Sequence, residues 1–145
     1  MTSPTIRLAI EQDYLQLAAL SGQLGYPSTP EQIAHRLAKL LSRRDQAVFV
    51  AEVEGHIAGW VHVYACPTVE SELYAEIGGL VVHEAQRGRG VGKALMTWSE
   101  AWARQRDIPE IRLRSNVIRK EAHQFYESLG YENIKAQFTF CKAIK

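Results

Sequence analysis

This chain of 145 residues contains little cysteine, almost no net charge and no long apolar run. Cys66 and Cys141 are too few for a disulfide framework and lack the spacing of a metal site, so we expect reduced thiols in a cytoplasmic protein. The formal net charge of +1 gives no field that would attract nucleic acid as a polyanion. We therefore expect no nucleic-acid partner.

Membrane and metal signals are also missing from the sequence. No stretch approaches the roughly 18 apolar residues that a membrane span requires, and residues 1–7 lack the apolar core of a secretion signal. We therefore expect no membrane partner. The histidines show no metal-binding spacing, so no metal is expected at His35, His56, His62, His83 or His123.

The size and composition are typical of one folded domain. A chain of 145 residues buries about 68–70% of its unfolded surface on folding. Its 46% hydrophobic and 23% charged residues are ordinary for a globular protein. Because no repeat, low-complexity tract or linker divides the sequence, we predict a single domain, 1–145.

Apolar periodicity predicts strands and helices in the order βααβββαβαββ. The second helix is predicted to start with Thr29 as its N-cap, Pro30 at its first position and Gln32 as the capping-box partner of Thr29. Gly78 and Gly79 interrupt the fourth strand and indicate a bulge. The expected strands are 6–10, 47–53, 57–64, 73–82, 110–114 and pieces around 131–134 and 137–141, and the helices are 11–20, 29–41, 91–106 and 119–129. This order predicts a mixed α/β fold.

A glycine-rich turn stands between the apolar run Leu80-Val81-Val82 and the helix that follows it. The turn reads Arg87-Gly88-Arg89-Gly90-Val91-Gly92-Lys93. A turn between a strand and a helix gathers unpaired backbone N–H groups, and the helix N-terminus adds about half a positive charge. Such a site binds anions, most often phosphate. A tight turn without a ligand is the alternative.

Two well-known phosphate loops do not fit this turn. The nucleotide-triphosphate loop would need Gly at Arg87 and a hydroxyl at Ala94, and the dinucleotide fingerprint would need Gly at Lys93. The remaining pattern, Arg87-x-x-Gly90-x-Gly92, resembles the GNAT superfamily of N-acetyltransferases. The resemblance covers essentially the whole chain and is strongest from 76 to 131. It implies a central twisted mixed sheet of about seven strands with helices on both faces, and acetyl-coenzyme A as cosubstrate without a metal.

The resemblance also implies residues that hold the coenzyme. Amides of the glycine-rich turn would bind the pyrophosphate, and the bulge at Gly78-Gly79 would open the sheet so that the pantetheine arm pairs with the strand after it. Asn116 matches an asparagine that contacts this arm, although its side chain would equally suit a turn or helix cap. The implied coenzyme-binding set is Leu80, Val81, Val82, Arg87, Gly88, Arg89, Gly90, Val91, Gly92, Lys93, Asn116 and Tyr126.

The resemblance implies two catalytic residues, one for each proton transfer of amine acetylation. An alkylammonium with a pKa near ~10.4 must lose a proton before it attacks, and the departing thiolate must gain one. Tyr126 matches the family's general acid toward the coenzyme sulfur; its alternative is a packed core tyrosine. Glu76 matches a glutamate that some members use as base, directly or through water; its alternative is a polar edge position.

The acceptor expected from the resemblance is a primary amine of a small molecule, acetylated directly without an acetyl-enzyme. Protein lysine or N-terminal acetylation, and a non-catalytic acyl-coenzyme A-binding regulator, are the alternatives. Residues 115–126 and 138–140 resemble aminoalkylphosphonate N-acetyltransferases. Tyr26, Tyr64, Glu76 and the region 138–140 are candidate acceptor lining. A homodimer is common in the resembled family and is a further expectation.

Overall fold

The computed structural model describes residues 3–23, 25 and 27–145. It divides into two compact units, Met1–Leu113 and Arg114–Lys145.

Five strands form a single sheet in the described part of the chain, in the spatial order β1-β2-β3-β4-β5. The first four strands pair antiparallel, and β5 pairs parallel to β4. The parallel pair is possible because a helix connects its two strands. The strands are β1 (Thr5–Leu8), β2 (Gln46–Val53), β3 (His56–Cys66), β4 (Tyr74–Val82) and β5 (Ile111–Leu113).

The helices are α1 (Tyr14–Gln23), α2 (Pro30–Leu41), α3 (Val91–Gln105) and, in the second unit, α4 (Lys120–Ser128). The predicted start of α2 is confirmed. The backbone N–H of Gln32 donates to the Thr29 hydroxyl at 3.1 Å, and the backbone N–H of Thr29 donates to the Gln32 side chain at 3.0 Å. Two N–H groups that the helix cannot satisfy are thereby paired.

The two faces of the sheet pack against different helices. Val48, Val50 and Val81 lie in one apolar cluster with Leu17 and Leu20 of α1 and Leu37 of α2, with Trp60 packed against it. Because side chains alternate along a strand, Phe49 points to the opposite face. There its ring meets Trp98 of α3, edge to face, at 5.8 Å. The first unit is therefore a mixed sheet with helices on both faces, which confirms the predicted fold class.

Gly59 of β3 sets how closely α3 approaches the sheet. A Cβ at this position would lie 2.7 Å from the Val81 carbonyl oxygen and 3.2 Å from side-chain atoms of Val91 and Leu95. Val91 and Leu95 are consequently buried against the strand. This close contact fixes the first turn of α3, and with it the turn that precedes the helix.

A buried ionic group ties the first strand to the segment that follows it. The Arg7 guanidinium donates to both oxygens of the buried Asp13 carboxylate at 2.9 and 3.0 Å and to Glu52 of β2 at 2.6 Å. Burial alone would raise the pKa of Asp13, but the hydrogen bonds from Arg7 and from the Ile10 N–H outweigh it and lower the pKa below its ordinary value.

The strands predicted around 131–134 and 137–141 are wrong: residues 131–145 contain no strand. Alternation of apolar and polar residues specifies which face a strand would bury, but a strand forms only when a neighbour accepts its backbone hydrogen bonds. The sheet consequently has five strands where about seven were predicted.

The second unit contains α4 and the segment after it. Gly130 follows the end of the helix; its φ of +94° suits glycine, and its N–H donates to the Glu127 carbonyl at 3.0 Å. The Tyr126 ring contacts the rings of Phe125 and Tyr131 edge to face, at 5.1 and 6.1 Å. Within 114–145, all of which the structure describes, no residue is buried.

Candidate functional site

The predicted anion-binding turn lies where β4 leads into α3. A single 3-10 turn, Glu84–Gln86, is followed by Gly88 and Gly90 with φ of +78° and +82°. Gly90 is the N-cap of α3 in the left-handed conformation, and no side chain caps the helix there. The first-turn N–H groups of α3 are thus left for another acceptor.

The space around this turn suits a phosphate group. A Cβ built at Gly88 or Gly90 would meet no atom within 4 Å, so the surface above both glycines is open. Arg89 and Lys93 are exposed, whereas Arg87 turns back and donates from Nε to the Val82 carbonyl at 3.3 Å. The diphosphate of a nucleotide coenzyme fits this turn, because backbone N–H groups converge there at a helix N-terminus and two cationic side chains are nearby.

The predicted bulge in β4 is present at Gly78. Val63 pairs with Ile77 and His62 pairs with Gly79, so Gly78 is the extra residue. On the other side, β5 pairs with residues 75–77 of β4. Beyond residue 77 that side of β4 has no strand partner in the described part of the chain. Leu80, Val81 and Val82 thus lie on an open strand edge, which an extended amide-bearing molecule could pair with.

Four polar side chains meet on the α1–α2 face of the sheet beside the bulge, and we call them the polar cluster: Gln46, His62, Tyr64 and Glu76. Glu76 is only 7% exposed, and the Tyr64 hydroxyl donates to its Oε2 in a short hydrogen bond. His62 Nε2 lies 2.7 Å from Gln46 Oε1, and the His62 and Tyr64 rings stack at 5.2 Å. Direct cross-strand pairing of Gln46, Tyr64 and Glu76 brings these groups together.

The two bulge glycines make room for the side chains of β3. A Cβ at Gly78 would lie 2.8 Å from His62 Nδ1, and a Cβ at Gly79 would lie 2.9 Å from the Trp60 ring. The absence of side chains at these positions lets Trp60 and His62 lie across β4. The paired glycines therefore shape the polar cluster as well as the bulge.

Burial sets the charge of the imidazole in the polar cluster. Desolvation lowers the pKa of His62, so this imidazole is neutral at pH 7. Glu76 supplies the one carboxyl side chain of the four. A buried carboxylate with a hydroxyl donor and a neutral imidazole beside it is suited to hold an ammonium group or accept its proton.

In the second unit, Asn116 and Tyr126 occupy the positions that the resemblance singled out. Asn116 Oδ1 accepts the Ile118 N–H at 3.2 Å, which is the capping alternative weighed for this residue. Tyr126 is half-buried, and desolvation raises the pKa of its phenol, against a smaller lowering by Arg119. The phenol is therefore protonated at neutral pH and can donate a proton.

Other candidate positions fall outside this arrangement. Tyr26 lies outside the described residues. Phe138 and Phe140 are 91% and 92% exposed. The sequence singled out Tyr64 and Glu76 but assigned no site role to His62 or Gln46. Gln46 is distant in sequence from the other three residues, so no local pattern connected it with them.

No group of three or more metal-binding side chains occurs among the described residues, and none of the helices in this part of the chain has the length and apolarity to cross a bilayer. A groove of about 970 Å³ lies beside α3 and is lined by residues such as Phe49, Trp98 and Trp102. Its lining includes none of the predicted site residues.

The Acetyltransferase (GNAT) family model matches residues 12–131 of the chain. The chain belongs to the GNAT family. The match contains β4, the glycine-rich turn, α3 and α4, so the elements described above are those of a GNAT protein. The sequence-based identification of the family is confirmed.

Individual relatives of this GNAT chain differ in how much of it they match. It is 39% identical to aminoalkylphosphonate N-acetyltransferase of Salmonella typhimurium over 69 residues, 48% of the chain and 44% of that enzyme. The chain thus spans less than half of that relative's length. It is 30% identical to aminoglycoside N(6')-acetyltransferase type 1 of Stenotrophomonas maltophilia over 137 residues, 90% of the chain and 88% of that enzyme.

Among solved structures, AAC(6')-Iy in complex with the bisubstrate analogue CoA-S-monomethyl-acetylneamine superimposes with a TM-score of 0.87. The identity is 18%, and the comparison covers 98% of this chain and 99% of that one. At this identity the likeness establishes a shared fold.

Proposed function

We propose that this chain is an acetyl-coenzyme A-dependent N-acetyltransferase that moves the acetyl group directly onto a primary amine of a small molecule. The observation that carries the proposal is the glycine-rich turn at the start of α3. Its uncapped N–H groups, its two left-handed glycines and the open space above them suit a diphosphate. Family membership and the coenzyme analogue bound by a protein of the same fold support the choice of coenzyme.

The open edge of β4 is proposed to bind the arm of the coenzyme. Backbone groups of Leu80 and Val82 would pair with its amides as an added strand does. A backbone N–H near Leu80 would also stabilise the oxyanion that forms when the thioester carbonyl is attacked. Arg89 and Lys93 would add charge at the diphosphate, and Asn116 is proposed, on the resemblance alone, as a further contact to the arm.

Glu76 is proposed as the base of the reaction. Its carboxylate accepts a proton from the acceptor ammonium, directly or through water, and the freed amine nitrogen forms a bond with the thioester carbon. The carbon–sulfur bond breaks, and Tyr126 is proposed, from the resemblance, to give its phenolic proton to the sulfur. The nitrogen then releases its second proton, which passes through solvent water to restore the Tyr126 phenol and leaves a neutral amide. Tyr64 holds the Glu76 carboxylate through its hydroxyl hydrogen bond, so it is proposed as a positioning residue.

The charge of the polar cluster favours a cationic acceptor. Glu76 is a carboxylate, and Gln46, Tyr64 and the neutral His62 contribute no positive charge. A polyamine or aminoglycoside would bring ammonium groups that this cluster can bind, whereas a phosphonate would need a cationic partner. The aminoglycoside relative, which matches 90% of the chain, supports the same class.

Coenzyme binding tests the proposal with a matched pair of glycine variants. Gly90 and Gly55 have φ of +82° and +81°, and both have open space around a built Cβ. Gly90→Glu and Gly55→Glu should therefore bear the same backbone strain, but only the first places a carboxylate at the turn. We expect calorimetry to show acetyl-coenzyme A binding weakened about tenfold or more by Gly90→Glu alone.

A screen for release of the coenzyme thiol identifies the acceptor class. Aminoglycosides and polyamines should support turnover, with aminophosphonates and peptides as comparison substrates. Turnover only with peptides would indicate protein acetylation, and coenzyme binding without turnover on any amine would indicate a regulator. Absence of coenzyme binding by the unaltered chain would show that the proposed function is wrong.

A further inference from the structure

We propose that His62 determines which amines the chain acetylates. Its side chain, oriented by Gln46, offers the bare Nδ1 nitrogen to a hydroxyl or second amino group that lies beside the reacting amine. Acceptors of this class are amino alcohols and diamines, which are preferred to alkylamines without a second donor. The inference rests on the proposed acetyltransferase function and adds to it a residue that selects the acceptor.

The first observation concerns which ring nitrogen of His62 carries the proton. Nε2 of His62 lies 2.7 Å from Oε1 of Gln46. An amide oxygen only accepts hydrogen bonds, so the proton between the two atoms belongs to Nε2. Since burial lowers the pKa of His62, the imidazole is neutral at pH 7 and carries a single ring proton. Nδ1 is therefore a bare nitrogen that can accept a hydrogen bond.

The contacts of the Gln46 amide agree with this assignment. Hydrogen bonding to Arg43 is the main cause that lowers the pKa of Asp45, and a smaller contribution comes from a hydrogen bond with the Gln46 side chain. Only the amide nitrogen of Gln46 can donate to a carboxylate, so its oxygen is left to face His62. The contacts of Asp45 and Gln46 thus favour the His62 tautomer with its proton on Nε2.

The second observation is that Nδ1 of His62 faces the bulge and has no hydrogen-bond partner in the described part of the chain. A Cβ built at Gly78 would lie 2.8 Å from Nδ1, so the ring nitrogen lies directly over this glycine. The side-chain atoms that are fully buried and unpaired among the described residues are Trp60 Nε1 and Gln86 Oε1, and Nδ1 is not one of them. A ligand can therefore reach Nδ1, and its donor would satisfy a half-buried acceptor that is otherwise unpaired.

The third observation places Nδ1 on the same face of the sheet as the carboxyl group of the proposed base. The Tyr64 hydroxyl donates to Glu76, and the His62 and Tyr64 rings stack at 5.2 Å. A Cβ built at Gly78 would lie 3.1 Å from the Tyr64 ring as well as close to His62. Glu76 and Gly78 are two residues apart along β4, which corresponds to roughly 7 Å or less. An amine at Glu76 consequently brings its neighbouring atoms toward His62.

This arrangement favours an acceptor with a second donor beside its amine. A hydroxyl group at that position would donate to Nδ1, whereas a methyl group of similar size would leave Nδ1 unpaired and displace water from it. A site with a polar group placed for a substrate donor discriminates against the analogue that lacks the donor. Glu76 and His62 together would therefore hold two neighbouring donors of one acceptor.

Nitrogen-15 spectra of the imidazole test the tautomer and the contact without any acetyl transfer. The full-length chain is labelled with ¹⁵N at histidine, and His62→Asn identifies the signals of His62. We expect Nε2 to be protonated and Nδ1 to be bare, two states whose nitrogen signals are well separated. Addition of 2-aminoethanol should shift the Nδ1 signal, and propylamine, which has a methyl group in place of the hydroxyl, should shift it less. A proton on Nδ1 in the free chain, or equal shifts with both amines, would overturn the inference.

Kinetics with the same two amines test whether the contact selects the acceptor. An asparagine side chain places its oxygen near the position of Nδ1 in histidine, and a glutamine side chain places its oxygen near that of Nε2. We expect the unaltered chain to favour 2-aminoethanol over propylamine by about tenfold in kcat/KM. His62→Asn should keep most of this preference, and His62→Gln should lose it, while both keep the coenzyme affinity of the unaltered chain. His56→Gln, at an exposed position, is the control.

The outcomes separate this inference from the function on which it rests. Absent coenzyme binding and turnover of neither amine would count against the proposed function, and the imidazole spectra would still decide the contact at His62. Turnover with the same preference in the unaltered chain and in His62→Gln would overturn the inference alone. Equal loss of the preference in His62→Asn and His62→Gln would also overturn it, because the ring would then act by packing and not through Nδ1.

Discussion

At the scale of single residues, Glu76 shows what the sequence could and could not predict. Its place in an otherwise apolar strand, together with the family resemblance, singled it out as a candidate base. Its burial and its hydrogen bond from Tyr64 depend on the register between β3 and β4, which no local pattern reveals. Its role in catalysis stays a prediction.

Replacing Glu76 tests that role. We expect Glu76→Gln to lower kcat/KM by about 100-fold, because the amide cannot accept the acceptor's proton. Tyr64→Phe should give a smaller loss, and the exposed Glu72→Gln should have no effect. Unchanged steady-state kinetics for Glu76→Gln would contradict the assignment.

The proposed role of Tyr126 as proton donor is tested in the same assay by removing its phenolic hydroxyl. Tyr126→Phe should lower kcat by about 100-fold and leave coenzyme affinity unchanged, because the ring remains and only the proton donor is lost. Since burial raises the pKa of this phenol, the unaltered chain should keep its activity above the pH at which a free tyrosine ionises. Tyr131→Phe, which removes a neighbouring hydroxyl, is the control. Equal rates for both variants would favour a packing role for Tyr126.

At the scale of elements, the residues that start, end or interrupt a helix or strand were predicted correctly, whereas the strand pairing at the end of the chain was not. The α2 capping box, the bulge at Gly78 and the end of α4 at Gly130 each depend on residues close together in sequence, and all three are confirmed. The two strands predicted after Gly130 are absent, because a strand forms only where a neighbour accepts its backbone hydrogen bonds. Local alternation of apolar and polar residues does not reveal whether such a neighbour is present.

Packing of α3 on the sheet gives a prediction for Gly59. We expect Gly59→Ala to lower the free energy of unfolding by roughly 1–3 kcal/mol, because its Cβ would press on the Val81 carbonyl, which is backbone and cannot move aside. Gly22→Ala in α1 meets no atom within 4 Å and should instead stabilise by about 0.5–1 kcal/mol. Urea unfolding measures both. A neutral Gly59→Ala would show that α3 can shift without cost.

At the scale of the whole molecule, composition predicted an ordinary folded chain, and the order of elements predicted the mixed α/β class. The family match confirms the identification that the glycine-rich turn made possible. The single domain 1–145 stays a prediction, because the structure presents two units that are described separately.

The buried Asp13 gives the molecule a defined response to acid. Because the folded state lowers the pKa of Asp13, this carboxylate stabilises the fold above the unfolded pKa of about 3.9, and the contribution is lost as pH falls through the lower folded value. Asp13→Asn should cost on the order of 2 kcal/mol at pH 7, and the difference from the unaltered chain should shrink below about pH 4. Denaturant titrations at both pH values measure this. Asp45→Asn removes one partner of an exposed ion pair, so it should change the free energy of unfolding little at either pH. If Asp13→Asn destabilised the fold equally at both pH values, the Asp13 carboxylate would not be the source of the loss.

The position of Trp60 across the bulge has an optical consequence. Its indole lies against Gly79, beside the open edge of β4, while the other two tryptophans, Trp98 and Trp102, belong to α3 on the opposite face. We therefore expect a molecule that enters the gap in the sheet to change the tryptophan emission through Trp60, and no dye has to be attached to follow it.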